Sequence, residues 1–225
     1  MNTLLEQPLV KRLLNAVFVL ALAFFAFPSA QAQSSDVNFN LYGTFPSSAT
    51  GPVTQPLSGS QPLVPLVALH QTADPSLGFR MGARHMFRPL FGLEINWGYN
   101  RAVQHFTGAM SQTGPVYAHG KPFTIDYVAT LPQYHMLKPF VLGGAGFVSY
   151  NISSNALLPA RAEKLPAGEY GIGFDYAPHS FPRFFGFRIQ YRGIVEHAPD
   201  FRLTYLSTNN LINIAEPSAG VYLKF

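Results

Sequence analysis

Phe91-Gly92-Leu93-Glu94-Ile95-Asn96-Trp97-Gly98-Tyr99-Asn100 is the stretch that decides the fold. Its odd positions are all large and apolar or aromatic, and its even positions are glycine, glutamate or asparagine. A strict period of two reads as a strand with two unlike faces. The same contrast recurs along the chain. Val37, Phe39, Leu41, Gly43 and Phe45 alternate with Asn38, Asn40, Tyr42 and Thr44. Leu77, Phe79, Met81 and Ala83 alternate with Gly78, Arg80, Gly82 and Arg84. Further segments cover Phe123–Leu131, Lys138–Tyr150, Glu169–Tyr176, Phe185–Val195 and Ser218–Phe225. About eight strands result, of the length that crosses a bilayer at a tilt, and no segment carries a helical period.

Composition narrows the setting. Of 225 residues, 48% are hydrophobic and 12% are charged, and Gly and Pro occur 19 times each. So few charges exclude a disordered chain and a basic nucleic-acid binder. After residue 30 no apolar run approaches the ~18–20 residues of a membrane helix. Connections alternate in length. Arg88-Pro89, Pro132–Leu137 and Pro178–Pro182 are short, whereas Pro46–Ser76, Arg101–Lys121, Asn151–Ala167 and Glu196–Leu211 are long. Short turns at one end and long loops at the other is the asymmetry of an outer-membrane barrel, short turns periplasmic. The 46–76 loop contains an apolar patch, Leu63–Leu69, with no assigned role.

Parity sorts the charges. Arg80, Arg84, Glu94, Asp126, Glu169, Asp175, Arg188, Arg192, Glu216 and Lys224 share the polar side of their strands, five of each sign. A charge facing mid-bilayer lipid costs ~2–4 kcal/mol, so these ten are expected inside, paired in a lumen that eight strands leave just wide enough for side chains. A soluble, lipocalin-like barrel would invert the faces. Trp97, Tyr99, Phe123, Tyr150, Tyr170, Tyr176, Phe185 and Phe225, near strand ends on the apolar parity, fit interfacial girdles and favour lipid outside.

The first 32 residues read as a secretory signal. Lys11 and Arg12 precede an apolar core from Leu13 to Phe27, and Ala30-Gln31-Ala32 forms a cleavage site before Gln33. Residues 33–225 then form one barrel domain carrying 13 basic and 10 acidic residues. Cysteine is absent, so no disulfide framework supports the exported chain.

At the C-terminus, Ser218, Gly220, Leu223 and the terminal Phe225 resemble the assembly signal of outer-membrane barrels. The resemblance implies strand pairing with the barrel-assembly machinery. Gly78-Phe79-Arg80-Met81-Gly82-Ala83-Arg84, the quoted 91–99 stretch, Pro139–Gly146 and Tyr191-Arg192-Gly193 are similar to the small OmpA/OmpX-like outer-membrane β-barrel family. An antiparallel, up-and-down, all-β transmembrane barrel is therefore expected, and these motifs define architecture without specifying an activity.

No catalytic residue, metal site or cofactor is expected. The seven histidines include no pair three or four residues apart, and cysteine ligands are absent. Ser153-Ser154-Asn155-Ala156 resembles the Ser-Asn-Ala element of a barrel lipid-A deacylase, but positions 151 and 152 are Asn and Ile where a histidine would be needed. Glu196-His197-Ala198-Pro199-Asp200 reads as an exposed loop, and His85 as an interfacial residue. The expectation is a non-enzymatic outer-membrane barrel, embedded in outer-membrane lipid, with no nucleic-acid partner and a structural or surface-interaction role through loops whose partner is unknown. The alternatives are a narrow channel or small-solute transporter gated by the lumen charges, and a lipid-modifying enzyme.

Overall fold

The computed structural model describes residues 34–51, 68–108, 115–153, 161–182, 184–203 and 206–225. The signal segment with Ala30, Ala32 and Gln33 lies outside these, as does most of the Leu63–Leu69 patch. Ten strands occur in chain order: β1 Ser34–Pro46, β2 Ala49–Gly51, β3 Leu69–Ala73, β4 Ser76–Arg88, β5 Phe91–Thr107, β6 Val116–Thr130, β7 Leu137–Ile152, β8 Glu163–Tyr176, β9 Phe185–His197 and β10 Leu211–Lys224. Every pairing is antiparallel.

Eight of the ten make the wall. Around the ring they run β1, β4, β5, β6, β7, β8, β9, β10 and back to β1, the closing pair running from Asp36↔Lys224 to Pro46↔Ile214. The two short strands continue the first hairpin upward, for β2 pairs β3 (Ala49↔Gln71) in the register of β1 and β4 (Thr44↔Ser76). Opposite β5 that register breaks. Between Ala73 and Gly78 the chain spends one residue more than the facing Asn100–Gln104, a bulge at Asp74-Pro75. Proline fits there because a bulge does not require its missing N–H.

The faces fall as lipid demands. Val37, Phe39, Leu41, Met81, Ile95, Trp97, Ile125, Tyr127, Val141, Ile172 and Ile189 are all exposed on the outside, while Arg80, Arg84, Glu94, Asp126, Arg188 and Arg192 are buried inside. The inverted, soluble arrangement is thereby excluded. Tyr150 departs from its assignment to the outer girdle: it points inward and is buried.

The strands also run further than the alternation indicates. β5 and β6 extend through much of the segment read as the Arg101–Lys121 loop, and β7 and β8 through both ends of Asn151–Ala167. In these upper parts the inward residues are largely apolar, among them Ala102, Phe106, Ala118, Val148, Ile194 and Ile212, with the buried, hydrogen-bonded Gln71 and Gln104 beside them. The segment after β9 folds over the mouth and adds Ala198, Phe201, Leu203 and Leu206 to this core, where Leu69 of the unplaced apolar patch also packs. Glu163 holds the segment down by accepting from the backbone N–H groups of Asp200 and Phe201 at 3.2 and 2.9 Å.

Candidate functional site

The lumen is filled from the wall inward by four arginines, two on β4 and two on β9. Each sits on the inward parity with one residue between it and a neighbour of the same face. Glycines at Gly78, Gly82 and Gly186 leave room for the Tyr42, Asn38, Asn96 and Tyr222 side chains that pack among the arginines. A Cβ at Gly82 would come within 2.5–2.9 Å of the Asn96 and Asn38 side chains, and one at Gly186 within 2.4 Å of the Tyr222 ring.

Arg192 donates to three strands at once: to Glu94 on β5 at 2.6 Å, Asp126 on β6 at 3.1 Å and Glu169 on β8 at 2.8 Å. Arg80 bonds Glu169 at 2.5 Å and also Glu216 on β10. Arg84 pairs with Glu94 at 2.5 Å and reaches Asp175 on β8 at 3.4 Å. Arg188 pairs with Asp175 at 2.6 Å and Asp36 on β1 at 3.2 Å. In a ring of eight, β4 and β8 lie opposite each other, and so do β5 and β9. The Arg80–Glu169, Arg84–Asp175 and Arg192–Glu94 bridges therefore cross the lumen along two diameters rather than following the wall.

Neutral and aromatic groups complete the network. Asn96 and Thr124 both donate to Asp126, at 2.8 and 3.1 Å. The Arg84 guanidinium lies 4.2 Å from the centre of the Phe140 ring, and Arg188 lies 5.1 Å from Tyr222. A buried charge is costly unless paired and hydrogen-bonded; each of these charges has at least one such partner, while Asp126 Oδ1, Glu169 Oε2 and Arg192 Nε have none of their own.

Nine of the ten charges assigned to the lumen by parity are buried in this network. Lys224 is the correction. It shares the inward parity but lies at the open periplasmic end of β10, exposed, and forms no ion pair among the described residues. Asp36 takes a further place in the network, one residue before the Val37–Phe45 alternation. The network thus holds four guanidiniums and six carboxylates, not five of each sign. Two substitutions separate these residues in one urea titration. Lys224→Gln is expected to leave stability within about 0.5 kcal/mol, whereas Asp36→Ala, which strips Arg188 of a charged partner, is expected to lose about 1.5–3 kcal/mol.

Above the charges sits a second missed group. Glu196, assigned to an exposed loop, is the penultimate residue of β9, 1% exposed, and accepts a hydrogen bond from the Tyr150 hydroxyl. It sits within the apolar cap, one inward position above Ile194 on its own strand. His197, the next residue, faces outward and is exposed. His85 faces outward near the periplasmic end, with Nδ1 2.9 Å from the Ser35 hydroxyl.

On the outer wall His119 joins three strands. Its Nδ1 is 2.9 Å from the Tyr99 hydroxyl and its Nε2 is 3.2 Å from the Ser153 hydroxyl. Ser153 thus has a histidine from the adjacent strand, although positions 151 and 152 just before it are Asn and Ile, and the group on the far ring nitrogen is a phenol rather than a carboxylate. Ser154, Asn155 and Ala156 lie outside the described residues.

The C-terminal motif occupies the closing seam. Gly220 lies between Asn40 and Arg188 in the ladder, Ser218 donates to the Gln190 carbonyl at 3.3 Å, and Leu223 faces outward. Phe225 exchanges both backbone hydrogen bonds with Ser35, at 2.8 and 3.0 Å, and leaves its ring exposed.

A closed antiparallel wall of eight strands, apolar outside and charge-filled inside, defines a small eight-stranded transmembrane β-barrel. Solved structures share that fold. Neisserial surface protein A aligns with a TM-score of 0.52 at 11% identity, over 88% of this chain and 99% of that one. The outer membrane protein OprG of Pseudomonas aeruginosa aligns with a TM-score of 0.50 at 14% identity, over 87% and 97%. At such identities the likeness is one of fold alone. No protein-family model matches the sequence, and no curated protein matches it.

Proposed function

We infer that this chain is an exported, non-enzymatic outer-membrane barrel, closed to solutes, whose role is structural or interactive at the cell surface. The observation that carries this reading is the double closure of the lumen. Arginine–carboxylate bridges cross it along two diameters, and an apolar core lies between those bridges and the extracellular side. A gate would have to separate several bridges at once while lifting Phe201 and Leu206, both fully buried, out of the mouth.

The non-enzymatic part rests on His119. A histidine that takes a serine proton becomes an imidazolium, and in serine hydrolases a buried carboxylate stabilises it. Tyr99 holds that position here, so the trio is read as a clasp tying β5, β6 and the end of β7 together. The signal segment and the C-terminal motif support export and hand-over to the assembly machinery. Contact with a partner outside the cell falls to the extracellular loops.

Proteoliposome swelling tests the reading. Vesicles carrying the folded protein are expected to swell in small neutral sugars no faster than protein-free vesicles. Faster swelling would favour the small-solute transporter, and serine-directed fluorophosphonate labelling at Ser153 would favour the enzyme.

A further inference from the structure

We propose that the outer wall over β5–β8 carries a specific seat for a phosphate-bearing lipid of the outer leaflet. The ladder places two unlike rows side by side. The lower is apolar: Trp97 pairs Phe123, Phe123 pairs Phe147, and Phe147 pairs Pro166. Two residues further up each strand, Lys121 pairs Ser149 and Ser149 pairs Lys164. One step higher again, Arg101 pairs His119 and His119 pairs Asn151. All six of these upper residues share the outward parity of Trp97, Phe123 and Phe147.

The spacing suits a phosphate. Adjacent strands lie ~4.8 Å apart, so Lys121 and Lys164 flank the Ser149 hydroxyl from either side at about 10 Å separation. Lys164 is anchored from below, its Nζ 3.3 Å from the centre of the Phe147 ring. His119 is held by Tyr99 and Ser153. A lipid seated here lays its acyl chains on the Trp97–Phe123–Phe147 row and lifts its phosphate to the lysines, the order in which a leaflet presents them.

The charge is one-sided in two senses. Every described carboxylate of the β5–β8 strands within the bilayer zone, namely Glu94, Asp126, Glu169 and Asp175, faces the lumen, and Glu163 is engaged by the capping segment. Around the ring, the comparable outward positions are Gly43 and Phe45 on β1, Leu77 on β4, Val195 and His197 on β9, and Leu211 and Asn213 on β10, with no lysine or arginine. A belt serving only general contact with headgroups would surround the barrel. This one is a patch, and its complement is an anionic amphiphile.

Trp97, the one tryptophan of the chain, lies beside the patch and reports on it. The folded protein is placed in phosphatidylcholine vesicles containing a minor fraction of either dibrominated phosphatidic acid or dibrominated phosphatidylcholine, since bromine quenches tryptophan on contact. The phosphatidic acid is expected to be enriched at Trp97 by at least about five-fold over its bulk fraction, the scale of one well-placed cation. The preference is expected to shrink as salt is raised. Lys121→Gln combined with Lys164→Gln should abolish it, whereas Arg88→Gln at the periplasmic end should leave it intact. Equal quenching by the two brominated lipids would overturn the proposal. So would a preference that survives the double substitution, or one that Arg88→Gln removes equally, since that would report net charge rather than a seat. If the double variant does not fold, Lys121→Gln alone read against Arg88→Gln decides the matter: loss of the preference in the first and not the second supports the seat, and equal loss or no loss overturns it.

Discussion

Replacing Arg192 by alanine is expected to lower the unfolding free energy by about 3–5 kcal/mol, the loss that follows when one partner of a buried charge cluster is removed. Arg192 is the side chain on which three carboxylates converge, Glu94, Asp126 and Glu169. Without it, Glu94 keeps Arg84 and Glu169 keeps Arg80, but Asp126 keeps only the neutral donors Asn96 and Thr124. The penalty should therefore concentrate on Asp126. Adding Asp126→Asn to Arg192→Ala is expected to recover part of the loss, although Asp126→Asn alone costs stability. Urea titration followed by the shift between folded and unfolded gel bands measures all three variants. An Arg192→Ala loss below about 1 kcal/mol, the scale of an exposed pair, would mean that the lumen charges are solvated rather than locked.

Gly220→Val is expected to prevent closure of the barrel. A Cβ at position 220 would lie 2.0 Å from the Phe39 carbonyl oxygen and 2.6 Å from Asn40 Cα. Both obstacles are backbone of the facing strand in the β1–β10 seam, so no rotamer change relieves them. The cost exceeds the ~1–3 kcal/mol of ordinary core overpacking. On a gel, the unboiled variant should run with the boiled one, lacking the fast band of a folded barrel. Gly168→Ala is the control, since a Cβ there meets nothing within 4 Å, and it should fold as the parent does. Gly220 thus has a structural demand of its own, separate from any recognition of the C-terminal motif during assembly.

What the sequence reveals of this molecule follows the lipid band. There the contrast between faces is strongest: Phe91–Asn100 alone gives strand and parity, and the girdle aromatics across the strands indicate which face meets lipid. The same contrast explains what was misread. Above the lipid edge the outward face meets water and the inward face meets the apolar cap, so the alternation reverses sign: Arg101, His119 and Lys121 point out while Ala102, Ala118 and Gly120 point in. A reader following apolar-out, polar-in sees the pattern dissolve and assigns a loop. That reversal hides Glu196 and gives Tyr150 the wrong face in the alternation.

Asp36 and Lys224 show the other limit. Both share the inward parity at a periplasmic strand end, and they face each other in the register. Only distance decides between them: Asp36 reaches Arg188, and Lys224 extends beyond the last layer of the network. The capping segment has no period at all. Its burial comes from the non-local contacts of Phe201 with Phe106 and Tyr150, whose ring centres lie 6.4 and 6.3 Å away.

Closure of the lumen is tested most directly by planar-bilayer recording of the folded, heat-modifiable protein across a range of voltages and salts. The bridges across two diameters and the apolar cap above them predict a baseline indistinguishable from the protein-free membrane. Reproducible, protein-dependent ohmic openings would contradict a closed lumen, the more so if Arg192→Ala increased their size.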